Sequence, residues 1–174
     1  MTKLPAAQNP PAAHPLLAAH PEPHKAREEW AKPHGMMLLP LGTVFAAVRM
    51  PARLVHAAAG SDEHTTVNRH LARDLRGGPV ICDPCGRRYY ALVPADTDAT
   101  WSSPNKATVL LSGAECLGLG TRLGVPRLDA VRPGSGVDSY WSVPMRAPTE
   151  VCDPADVVRL CSAGHFAMCV EDPV

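Results

Sequence analysis

The stretch Cys82-Asp83-Pro84-Cys85-Gly86 has the spacing with which two thiolates grip one zinc ion, a glycine letting the backbone fold beneath them. A structural zinc needs two further ligands, and the chain has no second C-x-x-C. Cys161, His165 and Cys169 recur at i, i+4 and i+8, so they can share a helix face. A zinc module would therefore draw on Cys82, Cys85, Cys161 and His165. The same residues are also good turn chemistry, with proline early and glycine late between two apolar runs. The simpler expectation is a hairpin turn that holds no metal.

Asp96-Thr97-Asp98 is a second candidate. Carboxylates one residue apart can hold divalent ions for phosphoryl or nucleotidyl transfer. On a strand they would point the same way, about 7 Å apart. Pro94 precedes them and apolar neighbours are lacking, so the segment reads as a loop. An enzyme would need Asp83, Asp96 and Asp98 regrouped in space around Mg²⁺ or Mn²⁺. The third candidate is cationic. Arg69, Arg73 and Arg76 fall along one side of a helix, and Arg87 and Arg88 follow the turn. Arg73, Arg76, Arg87 and Arg88 are the expected phosphate contacts, against the plainer reading of a solvated charged face. Cys116 and Cys152 behave as small apolar residues. No Gly-rich phosphate loop, G-x-S-x-G elbow or H-E-x-x-H motif occurs.

These residues must be placed by the elements around them. Residues 1–34 hold seven of the 19 prolines and four of the eight histidines, so they are expected to form a disordered Pro/Ala/His-rich tail, with a short helical turn over 24–32. A single domain should span 35–170. Residues 36–51 read as a loop and then a strand, with Val44, Phe45 and Val48 buried. A helix follows over 52–60, starting after Pro51 and stopping at Gly60. Ser61 or Asp62 is the expected cap of the next helix, which buries Val67, Leu71 and Leu75 and turns Asn68 and the arginines to water. Gly77 and Gly78 end it. Strands over PVICD and RRYYALV flank the turn. Residues 101–113 read as a loop ending in a strand, 115–126 as a strand pair or one bent strand with glycines at bulges, and 139–144 as an alternating strand. Asp153 caps a last helix over about 154–169, with Val157, Val158, Leu160, Cys161 and Phe166 as its buried candidates. The order predicts an α+β fold with a small mixed or antiparallel sheet and flanking helices.

Bulk properties narrow the function classes. The chain has 174 residues, enough for one cored domain. Seventeen basic and 17 acidic residues give zero formal net charge, so no global field draws the protein to nucleic acid or an anionic membrane. Any nucleic-acid contact must come from a local patch. No apolar run reaches the ~20 residues of a membrane span, and the N-terminal segment is too proline-rich for a signal-peptide core. The expected location is the cytoplasm, with six reduced cysteines.

The order of motifs adds a resemblance. Residues 39–51 (LPLGTVFAAVRMP), 77–97 (GGPVICDPCGRRYYALVPADT), 115–126 (ECLGLGTRLGVP) and 139–145 (SYWSVPM) resemble the N-terminal domain of bifunctional DNA primase/polymerases. They are most similar to the short stand-alone members of that family in GC-rich bacteria. The resemblance implies a primase/polymerase-like fold over about 36–160. It also marks departures. Ala46 stands where the family's early strand often has Asp, no carboxylate lies between Thr43 and Pro51, and the RRYYALV strand lacks the family's histidine. Without clustered carboxylates nothing holds two metal ions against a triphosphate. The expected role is therefore non-catalytic: a regulatory or binding module without cofactor, acting on nucleic acid or a protein partner. Residual primase/polymerase activity with Mg²⁺ or Mn²⁺, and a zinc module, stand as alternatives.

Overall fold

Antiparallel pairing organises the chain around five strands. In the computed structural model, which describes residues 13–32, 35–134, 139–147 and 150–171, the elements run in order: α1 (Ala13–Ala18), α2 (Pro23–Ala31), β1 (Met36–Pro40), β2 (Phe45–Pro51), α3 (Ala52–Ala59), α4 (His64–Asp74), β3 (Val80–Asp83), β4 (Arg88–Pro94), α5 (Thr97–Thr100), α6 (Ser103–Leu111), β5 (Glu115–Leu117), β6 (Arg122–Pro126), β7 (Tyr140–Val143) and α7 (Pro154–Glu171). The main sheet has the order β5-β2-β4-β3-β7, and β1 and β6 form a separate two-stranded sheet. All the pairings are antiparallel. This is an α+β architecture. No helix among the described residues is long and apolar enough to cross a membrane.

Strand alternation splits the buried residues into two cores, one on each face of the main sheet. Val48 and Met50 of β2, Val80 and Cys82 of β3, and Tyr89, Ala91 and Val93 of β4 pack with α3, α4 and α7. Phe45, Ala47, Ile81, Leu92 and Trp141 face the other way, toward β1, β6 and the N-terminal helices. On the first face, Val67, Leu71 and Leu75 of α4 are buried as their spacing requires. Gly60 ends α3 in the left-handed conformation at φ 63°.

Several expectations are corrected. Residues 13–32 do not form a free tail. Leu16, Leu17 and Ala26 are buried in the second core, and the Trp30 indole hydrogen-bonds to β6. Proline spacing concealed the apolar face, which is stable only because a sheet covers it. Residues 1–12, 33 and 34 of the expected tail lie outside the described residues. Residues 36–40 are a strand, with Met37 and Leu39 inward. Residues 103–111 form α6, started by Pro104 in its first turn. The two strands within 115–126 do not pair with each other: β5 joins β2, and β6 joins β1. Residues 97–100 form a short helix. Val44 and Phe166 are exposed. Glu63, not Ser61 or Asp62, caps α4 through both carboxylate oxygens, which accept from Thr65 N–H (2.9 Å) and Thr66 N–H (2.6 Å). Asn68 is not simply solvated, because its side-chain oxygen accepts from the Ser142 hydroxyl.

Candidate functional site

Arginines converge on one face of the structure, but they are largely not the ones their clustering in sequence suggests. A cleft of about 930 Å³ opens where the two-stranded sheet meets the end of the main sheet. Arg49, Arg88, Arg122, Arg127 and Arg132 all line it. They come from β2, β4, β6 and the segment after β6. Asp83 and Asp129 are the acidic residues among its lining groups.

The cleft floor follows from the register. Arg49 lies opposite Tyr90, and Tyr90 opposite Ile81. Glu115 is opposite Arg49, and Trp141 opposite Ile81. Directly opposed residues in antiparallel strands project to the same face. One transverse row therefore crosses all five strands: Glu115, Arg49, Tyr90, Ile81, Trp141. Two residues away along β4, Arg88 sits between Pro51 and Asp83. The wall comes from the two-stranded sheet. Met36 and Leu38 of β1 share a face with Gly124 and Arg122 of β6. Met36 and Leu38 are 48% and 51% exposed, although they stand in a strand whose alternate residues are fully buried. The segment carrying Arg127 and Arg132 is tied down at Trp141. Its indole N–H donates to Arg127 O (3.1 Å), and its backbone N–H donates to Ala130 O (2.7 Å).

Two of the five arginines have internal partners. Arg49 pairs with Glu115, and Arg127 grips Asp129 with two hydrogen bonds of 3.0 and 2.7 Å. Among the described residues, no carboxylate pairs with Arg88, Arg122 or Arg132. A concave surface with excess guanidinium charge focuses a positive field and presents donors that match phosphate geometry.

Of the expected set, only Arg88 enters this cleft. Arg73 is on the helix side of the sheet, exposed, with its guanidinium against Asp74 (2.7 Å) and His70 (2.9 Å). Arg76 follows α4 in the left-handed conformation at φ 51° and pairs at 3.2 Å with Asp156, a buried carboxylate in the first turn of α7. Arg159 closes on the same carboxylate. Arg87, one residue from Arg88, belongs to the turn. It acts on His56 of α3, whose pKa is lowered by burial, opposed by Asp62 and helped by Arg87. Arg49, Arg122, Arg127 and Arg132 escaped notice because no local pattern links them. The two-residue period of a strand puts Arg49 of β2 on the same face as Phe45 and Ala47, but the apolar sequence on both sides of it carries no alternation to mark that face.

The cysteine motif is a turn. Gly86 N–H donates to the Asp83 carboxylate (2.9 Å), and Arg87 N–H to Pro84 O (3.2 Å). Cys82 is buried in the helix-side core between its strand neighbours Tyr89 and Tyr140, and burial raises its pKa despite hydrogen bonds from both hydroxyls. Cys85 is exposed and faces the cleft. The two thiols thus lie on opposite sides of the sheet. Cys161 is buried on α7, and His165 Nε2 lies 3.9 Å from the thiol of the exposed Cys169. Asp83, level with Arg88, and the Asp96–Asp98 pair, past Pro94, stand at opposite ends of β4, roughly 20 Å apart at the rise of a strand. Asp98 pairs with Lys106 at 3.6 Å. No group of three or more His, Cys, Asp or Glu gathers around a common point among the described residues.

Comparison with protein-family models, curated proteins and solved structures finds no match.

Proposed function

We propose that this chain is a non-catalytic nucleic-acid-binding module, a primase/polymerase-like domain whose cleft has become a cationic binding surface. The observation that carries the reading is the convergence of five arginines from separate elements on one cleft, three of them without a carboxylate partner among the described residues. A neutral chain that concentrates charge in this way acts locally, through phosphate contacts, and not through its overall field. The absence of catalysis is supported by buried, apolar Ala46 and by the separation of Asp83 from Asp96 and Asp98 along β4.

The test is fluorescence anisotropy of a labelled oligonucleotide over a salt series. Affinity should fall with salt in proportion to the phosphates neutralised. Arg88→Ala and Arg122→Ala should each weaken binding and reduce the salt slope by about 1, while Arg73→Ala should change neither. Failure to bind at low salt, or indifference to the cleft substitutions, would sink the reading in favour of a protein partner.

A further inference from the structure

The cleft is not uniformly polar, and its apolar part is what phosphate binding alone leaves unexplained. Tyr90 is half-buried, packs its inner edge on the second core and lines the cleft between Arg49 across the strand pair and Arg88 two residues back. Facing the same space are Met36 and Leu38, left exposed by a strand that buries its other side fully. A surface meant only for a phosphate backbone has no use for exposed methionine and leucine. A surface meant only for an apolar partner has no use for three guanidinium groups that lack a carboxylate partner among the described residues. The two together fit a ligand that carries a planar ring and a phosphate within one unit.

Resting on the nucleic-acid reading, we infer that Tyr90 is a stacking platform for an unpaired nucleobase, with Met36 and Leu38 as the apolar wall beside it and Arg88 and Arg122 on the attached phosphate. A tyrosine ring offers a face to any base, and its hydroxyl end tolerates water. The thioether of Met36 adapts to ring edges of different shape. Neighbouring guanidinium groups hold the phosphate and flank the stacked ring with positive charge. A base inside a duplex has no free face to offer, so the cleft selects unpaired nucleotides over paired ones. The ring-plus-phosphate unit could arrive as part of a strand or as a free nucleotide, and size decides between them.

The experiment compares four probes on the full chain at low salt: a single-stranded 12-mer, its duplex, an abasic 12-mer and adenosine monophosphate. The single strand should bind at least 10-fold tighter than the duplex or the abasic strand. Tyr90→Ala should lower single-strand affinity by about 5- to 150-fold, the range for loss of one stacked base. It should leave the salt slope and the abasic affinity unchanged, and Tyr90→Phe should retain near-native binding. Tyr90→Leu, which keeps apolar packing without a ring face, should behave as Tyr90→Ala does. It guards against a misfolded alanine variant, checked by thermal melting. Tighter binding of the 12-mer than of the monophosphate assigns a strand, and equal binding assigns a free nucleotide; both uphold the stacking site. Equal affinity for base-bearing and abasic strands, or indifference to Tyr90→Leu, would overturn the stacking site while leaving phosphate binding intact. If no probe binds, the nucleic-acid reading falls with it.

Discussion

Trp30 of α2 donates its indole N–H to the backbone oxygen of Val125 in β6, at 3.1 Å. Val125 is fully buried and pairs with Met37 of β1. This one bond links the N-terminal helices to the small sheet that makes the cleft wall. Trp30→Phe should keep the packing and lose the bond, a cost of about 0.5–1.5 kcal/mol in urea unfolding. Deleting residues 1–34 should cost more, because Leu16 and Leu17 are buried with them at about 1.5–3 kcal/mol each. An unchanged Tm after the deletion would show that these helices do not hold the fold.

The α4 cap should be visible as a pH dependence. Hydrogen bonds from Thr66 and Thr65 hold the Glu63 carboxyl at about 2, below its ordinary value of 4.5. A depressed folded-state pKa stabilises above the unfolded value and is lost as pH falls through the folded one. The Tm gap between the native chain and Glu63→Ala should therefore be full at pH 7. It should narrow between pH 4.5 and pH 2. A gap that stays constant across that range would rule out the charged cap as its source.

Helix α7 approaches α3 closely at Gly164. A Cβ there would fall 2.3 Å from the backbone oxygen of Leu54, which cannot swing aside as a side chain can. Gly164→Ala should force the two helices apart and cost about 1–3 kcal/mol, as overpacking does. Chemical denaturation measures it, and a neutral substitution would mean that the helices are less tightly held.

The six thiols should divide by burial. Cys152 is pushed up to about 12, and Cys161 and Cys116 to about 11, mainly by desolvation; Cys82 is raised for the same reason. Cys85 and Cys169 are exposed. Alkylation at pH 8 should label two thiols rapidly, and all six only in denaturant. Rapid labelling of Cys82 in the folded protein would contradict the arrangement around the CDPC turn.

The sequence by itself determined the α+β class, helices α3, α4 and α7, and the turn between β3 and β4. Each of these rests on signals a few residues long: the i, i+4, i+8 spacing of Val67, Leu71 and Leu75, the stop at Gly60, the Asp83-Pro84-Cys85-Gly86 turn. Sequence also offered Arg73, Arg76, Arg87 and Arg88 as phosphate contacts, and of these Arg88 lines the cleft. Only the tertiary structure decided which arginines meet. Arg87 and Arg88 are neighbours in the chain, yet Arg87 acts on His56 of the helix layer while Arg88 lines the cleft. Arg49 and Arg122 are far apart in the chain, yet both line the cleft, one from the main sheet and the other from the two-stranded sheet. Burial of Leu16 and Leu17 was hidden for the same reason. A short helix among prolines has no stability of its own, and the core that covers it gathers residues from Met37 of β1 to Val125 of β6 and Trp141 of β7. Local spacing encodes elements, whereas sites and long-range covers depend on pairings whose partners no local period records.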